Sequence, residues 1–405
     1  MMGFENNLDK ALQIVTQKPD AKIDNLYKYL KEITPKNEKL SKNPPNVIVL
    51  MVESFGLPIL KYQSNSFDIL RSLKKHFDNG ILFTNIISSY NGTIGSMESM
   101  LLNIPALPGY TCYGQSKYQH STFKTAAALV YKKAGYNTEY IYGGDLTWRN
   151  VGNFFAKEGF DEITGKAKIN RVLHLKREDN HDWGVYDQFL YEYILKDLNS
   201  SKKPKFIYAM STNNHPPFVL YKHYKSKKLT IPKELEKHFK GDKDLILKRL
   251  YDYQYALDMV GKFLDKFRKT PYAKNTVIAI TADNNTIEGV ISYDDFLNES
   301  KKIPLFLYIP KNLIDVKIDT SIPGSHKDIF PTLYDLTLSN QPYYSIGHSL
   351  LRKNKLHCGF NDAKIIISKD GAFKFNNPKT KEQKRCNLYY KAAIAVTGEI
   401  LKRLK

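Results

Sequence analysis

Cysteine is scarce in this chain: Cys112, Cys358 and Cys386 are the only three among 405 residues. They form no CxxC pair and no zinc-ribbon spacing, which excludes a cysteine-caged zinc module and a disulfide-rich scaffold. At most one disulfide can form, and no connectivity follows from the spacing; the reading taken is three free, partly buried thiols. Long apolar runs are missing too. No stretch approaches the roughly 18 apolar residues that span a bilayer, and no charged-then-apolar leader opens the chain. It reads as soluble, either a whole protein or the water-facing part of something anchored elsewhere. Internal repeats and low-complexity stretches are absent as well. Acidic residues are in deficit: Asp plus Glu number 41 against 61 Lys plus Arg, a net charge of +20. That balance favours anionic partners, namely nucleic acid, anionic lipid surfaces or phosphorylated substrates. Its plainer reading is a solvated basic surface. The basic residues are spread along the chain with no recognised nucleic-acid module, so nucleic acid is set aside as a partner.

What the chain has is a 42% hydrophobic content, enough for a sizeable core. Residues 1–45 are polar with helical patches and close on Pro44-Pro45, which ends any helix. They read as an N-terminal helical arm or connector, not as core. Asn46-Val-Ile-Val-Leu-Met-Val-Glu53 is then a continuous apolar run, as in a strand buried on both faces. Further strands are expected at Ile81–Ile87, Asn137–Tyr142, Phe206–Met210, Thr276–Ile280 and Pro304–Ile309. Helices are expected between them, roughly at 66–77, 121–134, 184–198 and 244–267. Alternating strands and helices argue an α/β fold with a mostly parallel sheet flanked by helices. Lys364-Ile-Ile-Ile-Ser-Lys-Asp-Gly371-Ala-Phe reads as a hairpin about an Asp-Gly turn, followed by a basic helix over about 379–404. The organisation expected is an arm (1–45), a catalytic unit (46–340) and a C-terminal hairpin and helix (341–405) within the same globule.

Four apolar strands end in polar clusters: Glu53; Asp145 with Trp148 and Arg149; His215; and Asp283-Asn284. In open α/β sheets ligands sit beyond the carboxyl ends of strands, so these ends converge on one edge. A carboxylate after a strand is often only a helix cap, and each signal alone has that plainer reading. Thr93 adds a Gly-flanked hydroxyl ahead of a helix start. Glu53 and Asp283 are hard anionic oxygens suited to a divalent cation, with Asn284 adding a carbonyl oxygen or supporting from behind. Such an ion would activate Thr93 as a nucleophile. His215 is placed to donate a proton to a leaving oxygen or to stabilise charge on phosphorus oxygens. Arg149 offers the planar fork that matches phosphate, and Trp148 an apolar wall. The chemistry is metal-assisted transfer of a phosphoryl-type group.

These segments, with Asn214-His-Pro-Pro-Phe218 and Ser325-His-Lys-Asp-Ile-Phe-Pro-Thr332, occur in an order that resembles the sulfatase-fold phosphotransferases of the alkaline phosphatase superfamily. The likeness covers about residues 45–340 and is nearest to the catalytic domains of lipoteichoic acid synthases and phosphoglycerol transferases, with phosphoethanolamine transferases as cousins. It implies a covalent phosphothreonine on Thr93, formed from a phospholipid headgroup and passed to a glycan or lipid acceptor. It implies one divalent ion on Glu53, Thr93 and Asp283, with manganese or magnesium favoured and zinc or calcium as alternatives. Asp145, Trp148, Arg149 and His215 would line the headgroup pocket. The family usually has Asp-His where this chain has Asp283-Asn284, which weakens a zinc site; His326 is a candidate to restore an imidazole. The implied location is the extracytoplasmic face of the inner membrane, as the soluble domain of a membrane-anchored protein. A phosphodiesterase or phosphatase would use the same residues. A sulfuric ester hydrolase would need a Cys or Ser with a following Pro and Arg, which Thr93-Ile-Gly-Ser-Met lacks.

Overall fold

The strand runs Asn46–Val52, Ile81–Ile87, Asn137–Tyr142, Glu162–Thr164, Lys205–Met210, Thr276–Ala282, Lys302–Tyr308 and Gly324–Ser325, numbered β1 to β8 in chain order, pair into one sheet. Their spatial order is β8-β2-β7-β6-β1-β5-β3-β4. The computed structural model describes residues 3–4, 7–109, 112–285, 290–314 and 317–404. Every pairing in the sheet is parallel except those of β7, which runs antiparallel to β2 and β6. The apolar runs explain the centre. β1, β5 and β6 are buried along nearly their whole length, as strands covered on both faces must be.

Register then sets the working edge. Val52 of β1 lies opposite Ala282 of β6, Met51 opposite Met210 of β5, and Tyr142 of β3 opposite the same Met210. The next residue on each strand is therefore Glu53, Asp283, Ser211 and Gly143, side by side at one edge. Helices flank the sheet. The longest, Lys243–Phe267, packs against Asp187–Asp197, and the helix Thr93–Leu101 packs against His326–Thr337.

The N-terminal arm is not outside the core, contrary to the sequence reading. Ala11, Leu12 and Val15 of the helix Leu8–Thr16 are buried against the C-terminal helix Lys381–Lys402. Lys31–Ile33 pairs antiparallel with Pro342–Tyr344, and Arg352 bridges Glu32 to Asp335 of the helix His326–Thr337. Residues 1, 2, 5 and 6 of the arm lie outside the described residues. The expected C-terminal hairpin is present as Ile365–Ser368 and Gly371–Lys374, with Gly359–Phe360 as a third strand. Gly371 closes its turn at φ 98, in the left-handed region that glycine takes without strain.

Three further expectations are corrected. The helix expected over 66–77 is a 3₁₀ turn at Arg71–Leu73 and a short helix at Lys74–Asp78. Gln63 Oε1 accepts the backbone N–H of Ile69 and Leu70, and Asp68 that of Arg71, so side chains replace the helical bonds there. The helix expected over 121–134 begins only at Ala127. Cys358 and Cys386 are joined in a disulfide, leaving Cys112 as the free thiol. The two cysteines read as unrelated in sequence until the fold brings the C-terminal helix onto the segment that leads into the Gly359–Phe360 strand.

Candidate active site

Glu53 and Asp283 follow the tips of neighbouring strands, and the chain turns sharply after each. Ser54 stands at φ 54, which aims its N–H at Asp283 Oδ1, 2.7 Å away, while its hydroxyl donates to Glu53 Oε1 at 2.8 Å. Asn214 fixes the same turn from the β5 side, donating from Nδ2 to the carbonyls of Glu53 and Ser54. Thr93 is the first residue of its helix, after an extended Gly92. Its hydroxyl donates to Glu53 Oε2 at 3.3 Å. Gly95 is needed two residues on, because a Cβ there would sit 2.5 Å from the Tyr90 ring that covers this turn.

The electrostatics follow from burial. Glu53 and Asp283 are both enclosed, and burial is the largest cause of a raised pKa in each; the repulsion of Asp283 raises Glu53 further. The Ser54 and Thr93 donors pull the other way but do not cancel it. Two buried carboxylates of one sign call for a cation. Among the described residues, no group of three or more His, Cys, Asp and Glu side chains gathers as a metal cage. Neutral oxygens extend the pair instead. Asn284 donates from Nδ2 to Asp283 Oδ2 at 2.7 Å, and its buried Oδ1 has no hydrogen-bond partner among the described residues. Two carboxylates, a hydroxyl and an orphaned amide oxygen are the groups that could hold a cation, and an oxygen-only set of that kind fits magnesium, manganese or calcium better than zinc.

Glu53 and Thr93 share a cavity of about 20 Å³ with His215, Trp148, Trp183, Tyr142, Ser211 and Thr212. His215 Nδ1 bonds the Pro216 carbonyl at 3.0 Å, which requires the proton on Nδ1 and leaves Nε2 for the cavity. Burial lowers the His215 pKa, so the ring is neutral at rest. The Trp183 ring lies 4.0 Å from the His215 ring, and its Nε1 donates to the same Pro216 carbonyl. His181, half-buried beside Thr212, bonds the Thr212 hydroxyl at 3.1 Å and has its pKa lowered by desolvation to about 4.

Not every candidate named from sequence comes to this cavity. Asp145 is exposed; it accepts the Thr147 N–H and hydroxyl and pairs with Lys166 Nζ at 3.2 Å, and these donors hold its pKa below the usual carboxylate range. Arg149 is exposed as well, at φ 49, with Nη1 donating to Gln115 Oε1 at 3.2 Å. Both lie on the loop that carries Trp148, outside the cavity wall. His326 is corrected outright as a ligand candidate. Its Nδ1 accepts the Ser89 N–H at 3.1 Å and its Nε2 donates to the Ala282 carbonyl at 2.7 Å, so neither nitrogen has a lone pair for a metal. Sequence reasoning missed Trp183 and Arg249, a buried cation whose charge bears on Glu53, and gave no role to Tyr142 or Asn214, which it met only as parts of motifs. Trp183 had one signal: the chain has two tryptophans, and both meet here.

Fold and site together define an α/β protein with an acid–hydroxyl–acid cluster at the tips of its central strands. The chain belongs to the sulfatase family, whose model matches residues 45–339. It is 21% identical over 330 residues to lipoteichoic acid synthase 1 of Bacillus subtilis, covering 76% of this chain and 48% of that protein. It is 24% identical over 225 residues to phosphoglycerol transferase I of Xanthomonas campestris, covering 54% of this chain and 30% of that protein. The chain thus spans less than half the length of these relatives. The lipoteichoic acid synthase LtaP from Listeria monocytogenes has the same fold, with a TM-score of 0.71 at 16% identity over 98% of both chains.

Proposed function

We propose that this chain is a metal-dependent transferase that moves a phosphoglycerol-type headgroup, or a phosphoethanolamine one, from a phospholipid to a glycan or lipid acceptor through a phosphothreonine on Thr93. The observation that carries the reading is the Thr93 hydroxyl at a helix N-terminus, donating to a buried carboxylate whose partner acid adjoins it. The relatives named lipoteichoic acid synthase and phosphoglycerol transferase support the substrate class. Residues 46–340 are the proposed catalytic unit, closed at one end by the segments 1–45 and 341–405.

Glu53, Asp283, the Thr93 hydroxyl and Asn284 Oδ1 would hold the cation. When bound, a divalent ion there lowers the pKa of a hydroxyl and offsets charge on phosphate oxygens. Thr93 Oγ1 then attacks phosphorus, forming a P–O bond to threonine as the P–O bond to the diacylglycerol oxygen breaks. The proton Thr93 loses equals the proton that oxygen gains. Neutral His215, whose Nε2 is the nitrogen left free of the Pro216 carbonyl, would take the first and return the second. In the second half the acceptor hydroxyl attacks the same phosphorus, its proton passes through His215, and Thr93 regains its hydrogen. Trp148 and Trp183 would exclude water, and Arg149, on the loop that carries Trp148, is assigned to the phosphate.

The Cys358–Cys386 disulfide supports an oxidising, extracytoplasmic location. The +20 charge supports approach to an anionic membrane surface. Among the described residues no helix is long and apolar enough to cross a membrane. The test is intact mass after incubation with phosphatidylglycerol and, separately, phosphatidylethanolamine in manganese. A glycerophosphate or phosphoethanolamine mass on Thr93 names the donor. Release of the free headgroup phosphate without an acceptor would assign a phosphodiesterase instead, and no adduct with either lipid would overturn the covalent route.

A further inference from the structure

The chain passes from β2 to Thr93 through the loop 88–92. At the root of this loop the N–H and C=O groups of Ser88 and Ser89 are all taken, by partners far away in sequence. The Ser88 N–H donates to the Lys301 carbonyl at 2.9 Å, just ahead of β7. The Ser89 N–H donates to His326 Nδ1 at 3.1 Å. Both carbonyls turn to the C-terminal part of the chain. Asn361 Nδ2 donates to the Ser88 carbonyl at 2.7 Å, and the Asp362 N–H donates to the Ser89 carbonyl at 2.9 Å.

The Asn361 side chain is buried, and both of its ends are specified. Oδ1 accepts the Ala363 N–H at 2.9 Å, which leaves Nδ2 as the donor toward Ser88. Its own backbone N–H goes to the Ile365 carbonyl at 3.0 Å, inside the hairpin. An amide set in this way reads the position of one carbonyl, and its loss would leave that buried oxygen without its donor.

The segment that presents Asn361 is itself pinned. Cys358 is bonded to Cys386 of the C-terminal helix, and its carbonyl accepts from Lys327 Nζ at 2.8 Å. Gly359 lies so close to β8 that a Cβ on it would sit 2.1 Å from the Gly324 carbonyl oxygen. The Phe360 ring packs on Tyr389 and Tyr390, with centroids 5.2 Å from each. A hairpin that only covered a sheet edge would not need its preceding residues held this firmly against the loop that leads to the nucleophile. The acids across the site have other clamps, the Ser54 N–H on Asp283 and the Asn214 amide on the Glu53 turn. The position of Thr93 relative to them is therefore set from its own side, at the loop root.

We propose that Asn361 is a positioning residue for the transfer reaction: through the Ser88 carbonyl it fixes the loop that carries Thr93, and with it the approach of the Thr93 hydroxyl to Glu53, 3.3 Å away. The role rests on the transferase reading above, in which Thr93 is the nucleophile. Asn361 touches neither substrate nor reacting atoms. Its leverage is geometric, because a nucleophile displaced by about 1 Å loses on the order of 10²-fold in rate.

The test compares Asn361→Ala and Asn361→Asp with the unaltered full chain. The aspartate keeps the size and the acceptor for Ala363, but it turns an oxygen toward the Ser88 carbonyl. Tyr389→Phe is the control for stability loss alone, since it removes a different buried bond of the C-terminal part, from Tyr389 Oη to the Ile346 carbonyl at 2.7 Å. Hydrogen exchange of the peptide 88–97 is followed by mass spectrometry. The rate at which phosphatidylglycerol or phosphatidylethanolamine modifies Thr93 in manganese is followed by intact mass. We expect exchange over 88–93 to quicken about fivefold or more in both Asn361 variants. The modification rate at saturating lipid should fall about 10- to 100-fold, with the half-saturating lipid concentration unchanged. Tyr389→Phe should move neither, whatever its melting point. Either Asn361 variant that melts above the assay temperature decides the outcome. Unchanged exchange, an unchanged modification rate, or equal slowing by Tyr389→Phe overturns the proposal. The unaltered protein separates the two readings. If it takes no adduct from either lipid, the transferase reading falls and the positioning role with it, while quickened exchange in the Asn361 variants still establishes the hold on the loop. An adduct on the unaltered protein that forms equally fast in the Asn361 variants removes the positioning role alone.

Discussion

The Glu98 carboxylate accepts the backbone N–H of Gly114 at 3.1 Å, and this bond ties the helix that begins at Thr93 to the segment that holds Arg149. Glu98 also takes the Tyr113 N–H, while the Gly114 carbonyl accepts from Asn150 and Gln115 accepts from Arg149. Burial pushes Glu98 up to about 7 from 4.5, despite these donors. A carboxyl with a raised folded-state pKa lends stability that is full below about pH 4.5 and is lost as pH rises through about 7. Glu98→Gln, neutral throughout, should therefore lose less stability than the unaltered protein between pH 5 and pH 8, by up to about 3 kcal/mol. Urea unfolding at the two pH values checks this, and parallel losses in both proteins would refute it.

The buried pair Glu53 and Asp283 trades stability for chemistry. Without a cation, burial raises the pKa of both carboxylates, and the charge of Asp283 raises that of Glu53 further. Glu53→Gln removes one charge and keeps the shape, so the chelated variant should melt higher than the chelated unaltered protein, by about 1–3 kcal/mol in stability. It should also be inactive. Added manganese should reverse the ranking, stabilising the unaltered protein by roughly 2.7 kcal/mol at a hundredfold excess over Kd. Thermal melts with and without chelator decide it; a lower melting point for the chelated variant sinks the argument.

Much of this site was legible because its physics is local. β1, β5 and β6 are fully buried strands, and such strands must read as unbroken apolar runs. A carboxylate ending such a run stands out, which is how Glu53 and Asp283 were found. What was not legible depends on partners that sequence does not label. His326 is engaged by two backbone groups, of Ser89 and Ala282, and backbone groups look alike in every residue. Trp183 lies on a short turn with no periodicity, so only its rarity marked it. The helix Leu8–Thr16 reads as a polar arm until its partner, at the opposite end of the chain, is known.

The oxygen-only donor set predicts the metal. After chelation, manganese and magnesium should restore activity well and zinc poorly, since Asn284 brings an amide oxygen where an imidazole would favour zinc. Asn284→His should move the ranking toward zinc by about tenfold or more in apparent affinity. Metal titrations of activity in both proteins test this, and an unchanged ranking would remove Asn284 from the set.

The Cys358–Cys386 bond closes a sequence separation of 28. On the chain-entropy account a loop of that size contributes about 3.5 kcal/mol. Cys386→Ala should lower stability by that order, and the unreduced native chain should titrate one thiol, Cys112. Thiol titration of the denatured chain that finds all three without reductant would contradict the pairing.

His215 offers the sharpest test of the proton route. Its Nδ1 is committed to Pro216, burial holds its pKa below 6.5, and Nε2 is the nitrogen left for the cavity. A base of this kind gives a rate that falls as pH drops through its pKa, so the acid limb of kcat/KM should lie below pH 6.5. His215→Gln keeps a hydrogen-bonding side chain but moves no proton. It should lower kcat by about 10²–10⁴ and erase that limb, with KM for the phospholipid little changed. A purely structural role predicts something else: a lowered melting point, a raised KM and an acid limb still in place. That pattern would assign the proton transfer to another group, and His181, with a pKa of about 4 beside Thr212, would be the next residue to change.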